Sequence, residues 1–280
     1  MTRVWLAPAA LATVWLIVPA QAQGPAVPLA AHRAVYDLSL ADDSGSVQSA
    51  RGRIVYEVTG GACEGYASTT RQVLVLESES GTVATDMRTT TFEDPRGAKF
   101  RFKTETRNGR EARKVVDGDA VRRGDGLAVR LTKPRRGKVQ LNGDIIFPMA
   151  HLAKLIGAAK SGERLVSARV FDGSDDGRKS YDTLAVIGRS GATAAGGATV
   201  ETGKTTSQAM NAAFDNVPHW PVSVSYFGPA KLRGESLPTY VVSFDLYENG
   251  IARSLALQYN DFTLKGELKQ LQLLKSSTCD

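Results

Sequence analysis

The run from Gly61 to Gly65 places Cys63 between two glycines, in the spacing of the nucleophile elbow of α/β-hydrolases, with cysteine in place of serine. That chemistry needs a tight turn from a strand into a helix and a histidine base. The residues that follow, Tyr66 to Thr70, are typical of a strand and not of a helix. The pattern favours a structural role for Cys63, with a cysteine hydrolase as the alternative.

The chain contains two cysteines, Cys63 and Cys279. A signal peptide precedes them, so both are expected to mature in an oxidising compartment. An even pair of cysteines in such a compartment is typical of a disulfide, not of a metal site. A bond between the two would tie the last residues of the chain to a turn near its start, and it would leave no thiolate at Cys63 for catalysis.

The N-terminus has the features of a secretory signal peptide. A positive residue precedes an almost wholly apolar run, Val4 to Val18, and Ala20 and Ala22 stand where signal peptidase requires small residues. The run is shorter than the roughly 20 apolar residues of a membrane anchor. We therefore predict that residues 1–22 are removed and that the mature protein is periplasmic or secreted, without a transmembrane span.

Two further patterns could hold a metal ion. The run Asp172–Gly177 resembles half of a calcium loop, but Thr183 stands where an EF-hand has its glutamate, and strand-like sequence flanks the run. An acidic hairpin turn is the favoured interpretation. The three histidines are far apart in sequence, and His151 alone lies on a predicted helix. We predict no metal, no cofactor and no assembled catalytic site.

A basic stretch follows Arg107 and could gather on one surface of successive hairpins, where it would attract anionic lipid headgroups or glycans. The favoured alternative is a solvated face whose charges discourage pairing between sheet edges. Nucleic acid is excluded as a partner by the export signal. The stretch comprises Arg107, Arg110, Arg113, Lys114, Arg122, Arg123, Arg130, Lys133, Arg135, Arg136 and Lys138.

Alternation with a period of two dominates the chain and predicts a mainly β protein. It is seen in Ala31–Leu40, Arg51–Val58 and Lys99–Arg107, where apolar and charged residues take opposite faces. Sheets with one wet face are usually antiparallel. About a dozen strands are expected, separated by turn signals. Hairpin turns are predicted at Asn108-Gly109, Asp117-Gly118, Asp125-Gly126 and Asn249-Gly250.

One helix interrupts the β pattern at residues 148–160. Leu152, Leu155 and Ile156 lie on one face, Pro148 suits the first turn, and Gly162 suits the end. A lone amphipathic helix must bury that face against the sheet. The prediction is a single domain over residues 23–280, with a strongly curved antiparallel sheet around a central helix.

Two segments are less regular than the rest. The run Gly188–Gly197 is low in complexity and is predicted to be a loop, and the role of residues 188–203 is not indicated. Residues 204–215 are ambiguous between a short helix and an irregular strand.

The mature chain resembles the cell-envelope integrity protein EipB family, a periplasmic group from Gram-negative bacteria. The similarity is carried by AHRAVYDL at 31–38, FP at 147–148 with HL at 151–152 and LI at 155–156, FDGSDDG at 171–177 with YDT at 181–183, and SFDLYENG at 243–250. The resemblance implies a spiral-like broken β-barrel wrapped around the helix and a disulfide between Cys63 and Cys279. It also implies a role in envelope integrity under stress, with no established enzymatic activity.

Two functions remain open at this point. The first is a non-enzymatic periplasmic protein that supports the envelope by binding another envelope protein. The second is a lipid or lipopeptide carrier, because a curved sheet around a helix can open an apolar cleft.

Overall fold

The structure is a computed structural model that describes residues 28–41, 45–191, 213–228 and 237–276. Within these ranges the chain forms the α-helix described below, helical residues at Ala213 and Phe214, and fifteen strands. All fifteen strands belong to a single sheet. The predicted signal peptide lies outside the described residues, as do positions 192–212, which include most of the low-complexity run. The expectations for those segments stay predictions.

The helix is α1 (Pro148–Ser161). The strands are β1 (His32–Leu40), β2 (Val47–Gly61), β3 (Gly65–Ser78), β4 (Gly81–Glu93), β5 (Lys99–Asn108), β6 (Lys114–Arg123), β7 (Gly126–Lys133), β8 (Gly137–Leu141), β9 (Ile145–Ile146), β10 (Leu165–Val170), β11 (Tyr181–Ile187), β12 (His219–Phe227), β13 (Tyr240–Tyr247), β14 (Ala252–Gln258) and β15 (Thr263–Leu273).

The sheet is open and curved, as the alternation predicts. Its strand order is β8-β7-β6-β5-β4-β3-β2-β1-β15-β14-β13-β12-β11-β10-β9. Each strand pairs antiparallel with its neighbour, except that β9 runs parallel to β10. The first eight strands and the last seven meet at the ladder between β1 and β15, and β8 and β9 are left as the two edges. The expectation of a mainly β, broken-barrel fold with one helix is confirmed.

The two faces of the sheet differ as period-2 alternation requires. In β5, Phe100 and Phe102 are buried, whereas the alternating residues Lys99, Arg101 and Lys103 are exposed. The face that carries Phe100 is the inner face, and the register between strands extends it around the sheet.

The helix is bounded as the sequence predicts. Pro148 stands at its first position, and Gly162 ends it with a φ of 82°, a left-handed conformation in which its N–H bonds the carbonyls of Ala158 and Ala159. Leu155 and Ile156 are buried in a core cluster with inner-face residues of strands β10 to β13. In the described part of the chain, no helix has the length and apolarity needed to cross a membrane.

One turn prediction is wrong. Asp117-Gly118 lies inside β6, at an irregularity in its pairing with β7, and not at a hairpin turn. A Cβ atom at Gly118 would lie 2.6 Å from the carbonyl oxygen of Arg130 and 2.9 Å from the ring of Phe102. Glycine is needed here because the neighbouring strands β5 and β7 pack too closely for a side chain. In the sequence, an Asp-Gly pair of this kind cannot be told from one at a hairpin turn.

Candidate binding site

The inner face is not filled along its whole length. On β3, β4 and β5 several inward polar side chains remain partly exposed, among them Thr70, Gln72, Thr89 and Thr104. The hydroxyls of Thr89 and Thr104 lie 3.1 Å apart. We call the space beside these side chains the interior chamber. Partly exposed hydroxyls and amides inside a curved sheet indicate a space that admits water or a ligand, not a dry core.

The opposite wall of the interior chamber is lined by tyrosines. In the register of β11, β12 and β13, Thr183 stands opposite Tyr226, which stands opposite Tyr240. The rings of Tyr226 and Tyr240 are stacked with centroids 4.5 Å apart. Tyr181 meets these two rings at steep angles, at 6.5 Å and 6.4 Å. Three neighbouring strands thus gather three tyrosines into one cluster, which we call the tyrosine cluster.

A carboxylate accompanies the tyrosine cluster. Asp172 follows β10, accepts a hydrogen bond of 2.9 Å from the backbone N–H of Ser174, and has a pKa that burial raises above its usual range. Burial together with the negative charge of Asp172 raises the pKa of Tyr226 to about 12. Asp175 accepts a hydrogen bond from the hydroxyl of Tyr181.

The loop that holds Asp172 is built as a pair of acidic turns. Strands β10 and β11 flank it, as the sequence predicts, in place of the helices of an EF-hand. Gly173 has a φ of 73°, and a Cβ atom there would lie 2.3 Å from the ring of Phe102. The loop therefore packs against the inner face of β5. The sequence alone did not indicate this contact.

A second carboxylate holds the start of the helix. Glu93, at the end of β4, is 4% exposed. Its two oxygens accept hydrogen bonds of 2.7 Å and 2.9 Å from the N–H groups of Met149 and Ala150. Phe147 at the N-cap makes no side-chain cap of its own. Burial raises the pKa of Glu93 to about 7, while the two backbone donors act in the opposite direction.

The histidines have ordinary structural partners. The Nε2 atom of His151 lies 3.4 Å from the hydroxyl of Thr183, and burial lowers the pKa of His151 to about 4, with Lys154 adding to the effect. The Nδ1 atom of His32 lies 2.8 Å from the carbonyl oxygen of Ala30. His219 stacks on Tyr247. Over the described ranges, no group of three or more histidine, cysteine or acidic residues could hold a metal ion.

Cys63 lies in the exposed turn between β2 and β3. A strand follows it, so it lacks the strand-to-helix setting of a nucleophile elbow. His32 pairs with Val58 of β2 on one side and with Leu273 of β15 on the other, so this turn and the end of β15 lie at the same end of neighbouring strands. Cys279 lies outside the described residues, and its bond to Cys63 stays a prediction.

The basic stretch does not form one uniform surface. Arg113 pairs with Glu105 at 3.2 Å, as does Lys103, which precedes the stretch, at 2.7 Å, and Arg130 pairs with Asp119 at 2.8 Å. The guanidinium of Arg122 instead donates to the carbonyl of Ile145 at 2.7 Å and serves the fold. Lys103, Arg113, Lys114 and Lys133 also border a cavity of about 820 Å³, which Asp175 and Asp176 share.

The outer face carries an apolar patch beside an incomplete edge. Leu165 and Val186 are paired across β10 and β11 and are 60% and 50% exposed, and Leu184 lies next to them. The N–H of Ile187 bonds the carbonyl of Arg164, so Leu165 and Ser167 direct their backbone groups away from β11.

On that side of β10 the neighbouring strand is short. β9 pairs only with Arg169 and Val170, and the carbonyl of Ser167 accepts a hydrogen bond from Lys154 at 2.9 Å. A cavity of about 490 Å³ adjoins this edge. The patch and the open edge together form a surface that another chain could cover.

The sequence pointed to the turn at Cys63 and to the acidic loop, but it did not assemble the interior chamber. Tyr181, Tyr226 and Tyr240 are up to 59 positions apart by their numbers, and only the register of three strands brings them together. The alternation of apolar residues around Tyr226 and Tyr240 was the signal available, and it indicates an inner face without showing which parts of it are open.

Comparison with known proteins identifies the family. A family model described as EipB-like matches residues 23–275. The cell envelope integrity protein EipB of Brucella abortus (strain 2308) is 37% identical over 251 residues, which cover 89% of this chain and 85% of the relative. A crystal structure described as a beta-barrel-like protein of domain of unknown function DUF1849, from Brucella abortus, superposes with a TM-score of 0.78 at 35% identity, covering 89% of this chain and all of that one. The chain therefore belongs to the EipB-like family.

Proposed function

We propose that this protein acts in the periplasm as a non-enzymatic factor that maintains the integrity of the cell envelope. The observation that carries the proposal is the match to a relative named for envelope integrity over 89% of the chain. The predicted signal peptide supports the compartment. A strand, and not the helix of a nucleophile elbow, follows Cys63, and the nitrogens of His32 and His151 lie near a backbone carbonyl and a threonine hydroxyl. These settings support a binding role over catalysis.

Within that role, we propose that the protein binds another envelope protein at the patch formed by Leu165, Leu184 and Val186. Exposed apolar side chains in contiguous positions are typical of interaction surfaces. The backbone groups of Leu165 and Ser167 could bond an added extended segment, as in strand addition to a sheet edge. Lys154 would have to release the carbonyl of Ser167 to make room.

This proposal is tested in a strain that lacks the gene and is sensitive to envelope stress. Leu165→Arg combined with Val186→Arg should fail to restore resistance and should lose the partner captured by a photo-crosslinker at Leu184. The melting temperature should stay within a few degrees of the wild type, because both side chains are exposed. Val83→Arg, at another exposed apolar position, is the matched control. Full complementation by the double variant would exclude the patch.

A second candidate is a lipid or lipopeptide carrier, and the partly open interior chamber favours it. Native mass spectrometry of gently purified protein tests this function. A co-purifying acyl species supports the carrier, whereas a clean protein mass together with a crosslinked protein partner supports the first function alone.

A further inference from the structure

The interior chamber differs in charge from the rest of the molecule. The whole chain has a net charge of +6. In the described parts of β11, β12 and β13, which carry the tyrosine cluster, no inward position is lysine or arginine, and the same holds for β3, β4 and β5. Arg253 of β14 instead stacks on the ring of Phe214. The basic residues that border the cavity of about 820 Å³ share it with Asp175 and Asp176. Asp172 and the tyrosine cluster thus form a negative region with no basic side chain on the inner face of the three strands that carry the cluster.

The tyrosine cluster presents both ring surface and free hydroxyls. Tyr226 and Tyr240 are only partly buried. Over the described residues, neither hydroxyl has a hydrogen-bond partner. The face of an aromatic ring attracts a cation, and the attraction increases when the cation is removed from water. A nearby carboxylate adds a direct charge attraction, which the low dielectric of a barrel interior strengthens.

An apolar surface continues from the tyrosine cluster. Val242 and Phe244 follow Tyr240 on the inner face of β13, and Leu255 and Leu257 stand opposite them on β14. All four side chains are partly exposed. A ligand that reaches Asp172 with a polar end could therefore lay an apolar part along β13 and β14.

We propose that the interior chamber binds an amphipathic molecule whose head carries a positively charged ammonium group. The ammonium group would contact the rings of Tyr226 and Tyr240 beside the carboxylate of Asp172. The apolar part would lie against Val242 and Leu257. This inference rests on the second candidate function, and it specifies the class of lipid that such a carrier would take.

Two pairs of probes test the two parts of the ligand. Choline is compared with 3,3-dimethylbutan-1-ol, which has the same shape without the charge, by titration followed by NMR. Choline should bind about tenfold more tightly than the neutral alcohol. This ratio corresponds to about 1.4 kcal/mol of binding free energy from the cation–π contact and the charge attraction. Monomeric dihexanoylphosphatidylcholine should likewise bind more tightly than dihexanoylphosphatidylglycerol, which has the same chains and no ammonium group.

Variants locate the site. Asp172→Asn and Tyr240→Leu should each weaken choline binding at least fivefold, whereas Tyr240→Phe should retain most of it because the ring is kept. Asp182→Asn is the matched control, because Asp182 lies on the outer face of β11 and pairs with Arg169 at 2.7 Å. If Asp172→Asn does not fold, the comparison of the Leu and Phe variants at Tyr240 decides the question.

The outcomes separate this inference from the function on which it rests. Equal binding of both phospholipids would overturn the ammonium preference while leaving the carrier function in place. Binding of neither phospholipid would overturn both. Unchanged choline binding in Asp172→Asn and Tyr240→Leu would show that the site lies elsewhere and would also overturn the inference.

Discussion

Glu93 is the residue whose ionisation most directly concerns the fold. Its carboxyl group is buried at the end of β4 and accepts the N–H groups of Met149 and Ala150, which a helix cannot satisfy by itself. Burial raises its pKa from an ordinary value of 4.5 to about 7. The folded state therefore binds a proton more readily than the unfolded state between pH 4.5 and 7. The contribution of Glu93 to stability is full below pH 4.5 and is lost as the pH rises through 7.

We expect this group to lower the free energy of unfolding by about 3 kcal/mol between pH 4.5 and pH 7. Chemical denaturation of the wild type and of Glu93→Gln at pH 5 and pH 8 measures the difference. The variant should lose less stability than the wild type over this interval, since its amide does not titrate. Burial lowers the pKa of His151 to about 4, so this residue makes the protein less stable as the pH falls. Because His151 is present in both proteins, its effect cancels in the comparison. Parallel pH profiles of the two proteins would show that Glu93 keeps an ordinary pKa.

The residues of the candidate site were the hardest to predict from the sequence. Glu93 and Met149 are 56 positions apart, and nothing in the local sequence of either marks a cap. A side chain from a strand replaces the polar N-cap that helices usually have. The grouping of Tyr226 with Asp172 depends in the same way on strand register and on a loop that folds inward. Such contacts join residues that are far apart in the sequence, whereas alternation, helical spacing and turn signals involve only neighbouring residues.

At the scale of elements, the helix α1 is expected to support the sheet from inside. Leu155 and Ile156 are 2% and 0% exposed. Changing either to Ala should lower the free energy of unfolding by about 2–5 kcal/mol, because the cavity left under the sheet cannot fully collapse.

Gly157 provides the matched control on the same helix. It is exposed, and a Cβ atom there would meet nothing within 4 Å. Gly157→Ala should therefore raise stability by about 0.5–1 kcal/mol. Urea denaturation of the three variants provides the measurement, and a loss under about 0.5 kcal/mol at both Leu155 and Ile156 would contradict their burial.

Strand β5 gives a sharper contrast between neighbours. Phe100 packs against Phe147, with ring centroids 4.9 Å apart, whereas Arg101 points to the outer face and is exposed. Phe100→Asp should prevent folding or cause aggregation, because it buries an unpaired charge. Arg101→Asp should change the melting temperature by only a few degrees. Circular dichroism and soluble yield distinguish the two, and equal tolerance would contradict the register of β5.

Strands and helix were largely predictable because their signals are periodic. Alternation over Lys99–Arg107 identified β5, and apolar spacing with Pro148 and Gly162 identified α1 within one residue at its end. The turn signal at Asp117-Gly118 failed because glycine marks close packing as well as positive φ, and here Gly118 packs against Arg130 and Phe102.

The two halves of the sheet are joined at one ladder, between β1 and β15, which we call the seam. Strands β1 to β8 form one side of the sheet order and β9 to β15 the other, and they join where β1 pairs with β15. The first described strand thus pairs with the last. Gln72 of β3 also lies close enough to Tyr259, which follows β14, to oppose the rise that burial causes in the pKa of that tyrosine. The curvature therefore brings side chains from both sides near each other across the interior. Loss of β15 from its place would separate the two sides and open the interior chamber.

The predicted disulfide would cross this seam. The turn that carries Cys63 belongs to one side of the sheet, and Cys279 lies three positions beyond Ser276, whose hydroxyl accepts a hydrogen bond of 3.4 Å from the N–H of Ala31. The bond would close a loop of more than 200 residues, for which chain entropy gives about 5 kcal/mol, with a smaller realised gain where native strain intervenes.

Cys63→Ser and Cys279→Ser should each lower the melting temperature and the resistance to protease without abolishing the fold, and cleavage should begin at the C-terminal end, where β15 would fray. The double variant should match either single one, because each removes the same bond. Thermal melts, limited proteolysis with mass mapping and thiol titration of denatured, unreduced protein provide the measurements. Two reactive thiols per chain in protein isolated from the periplasm would show that the seam is held by the β1–β15 ladder alone.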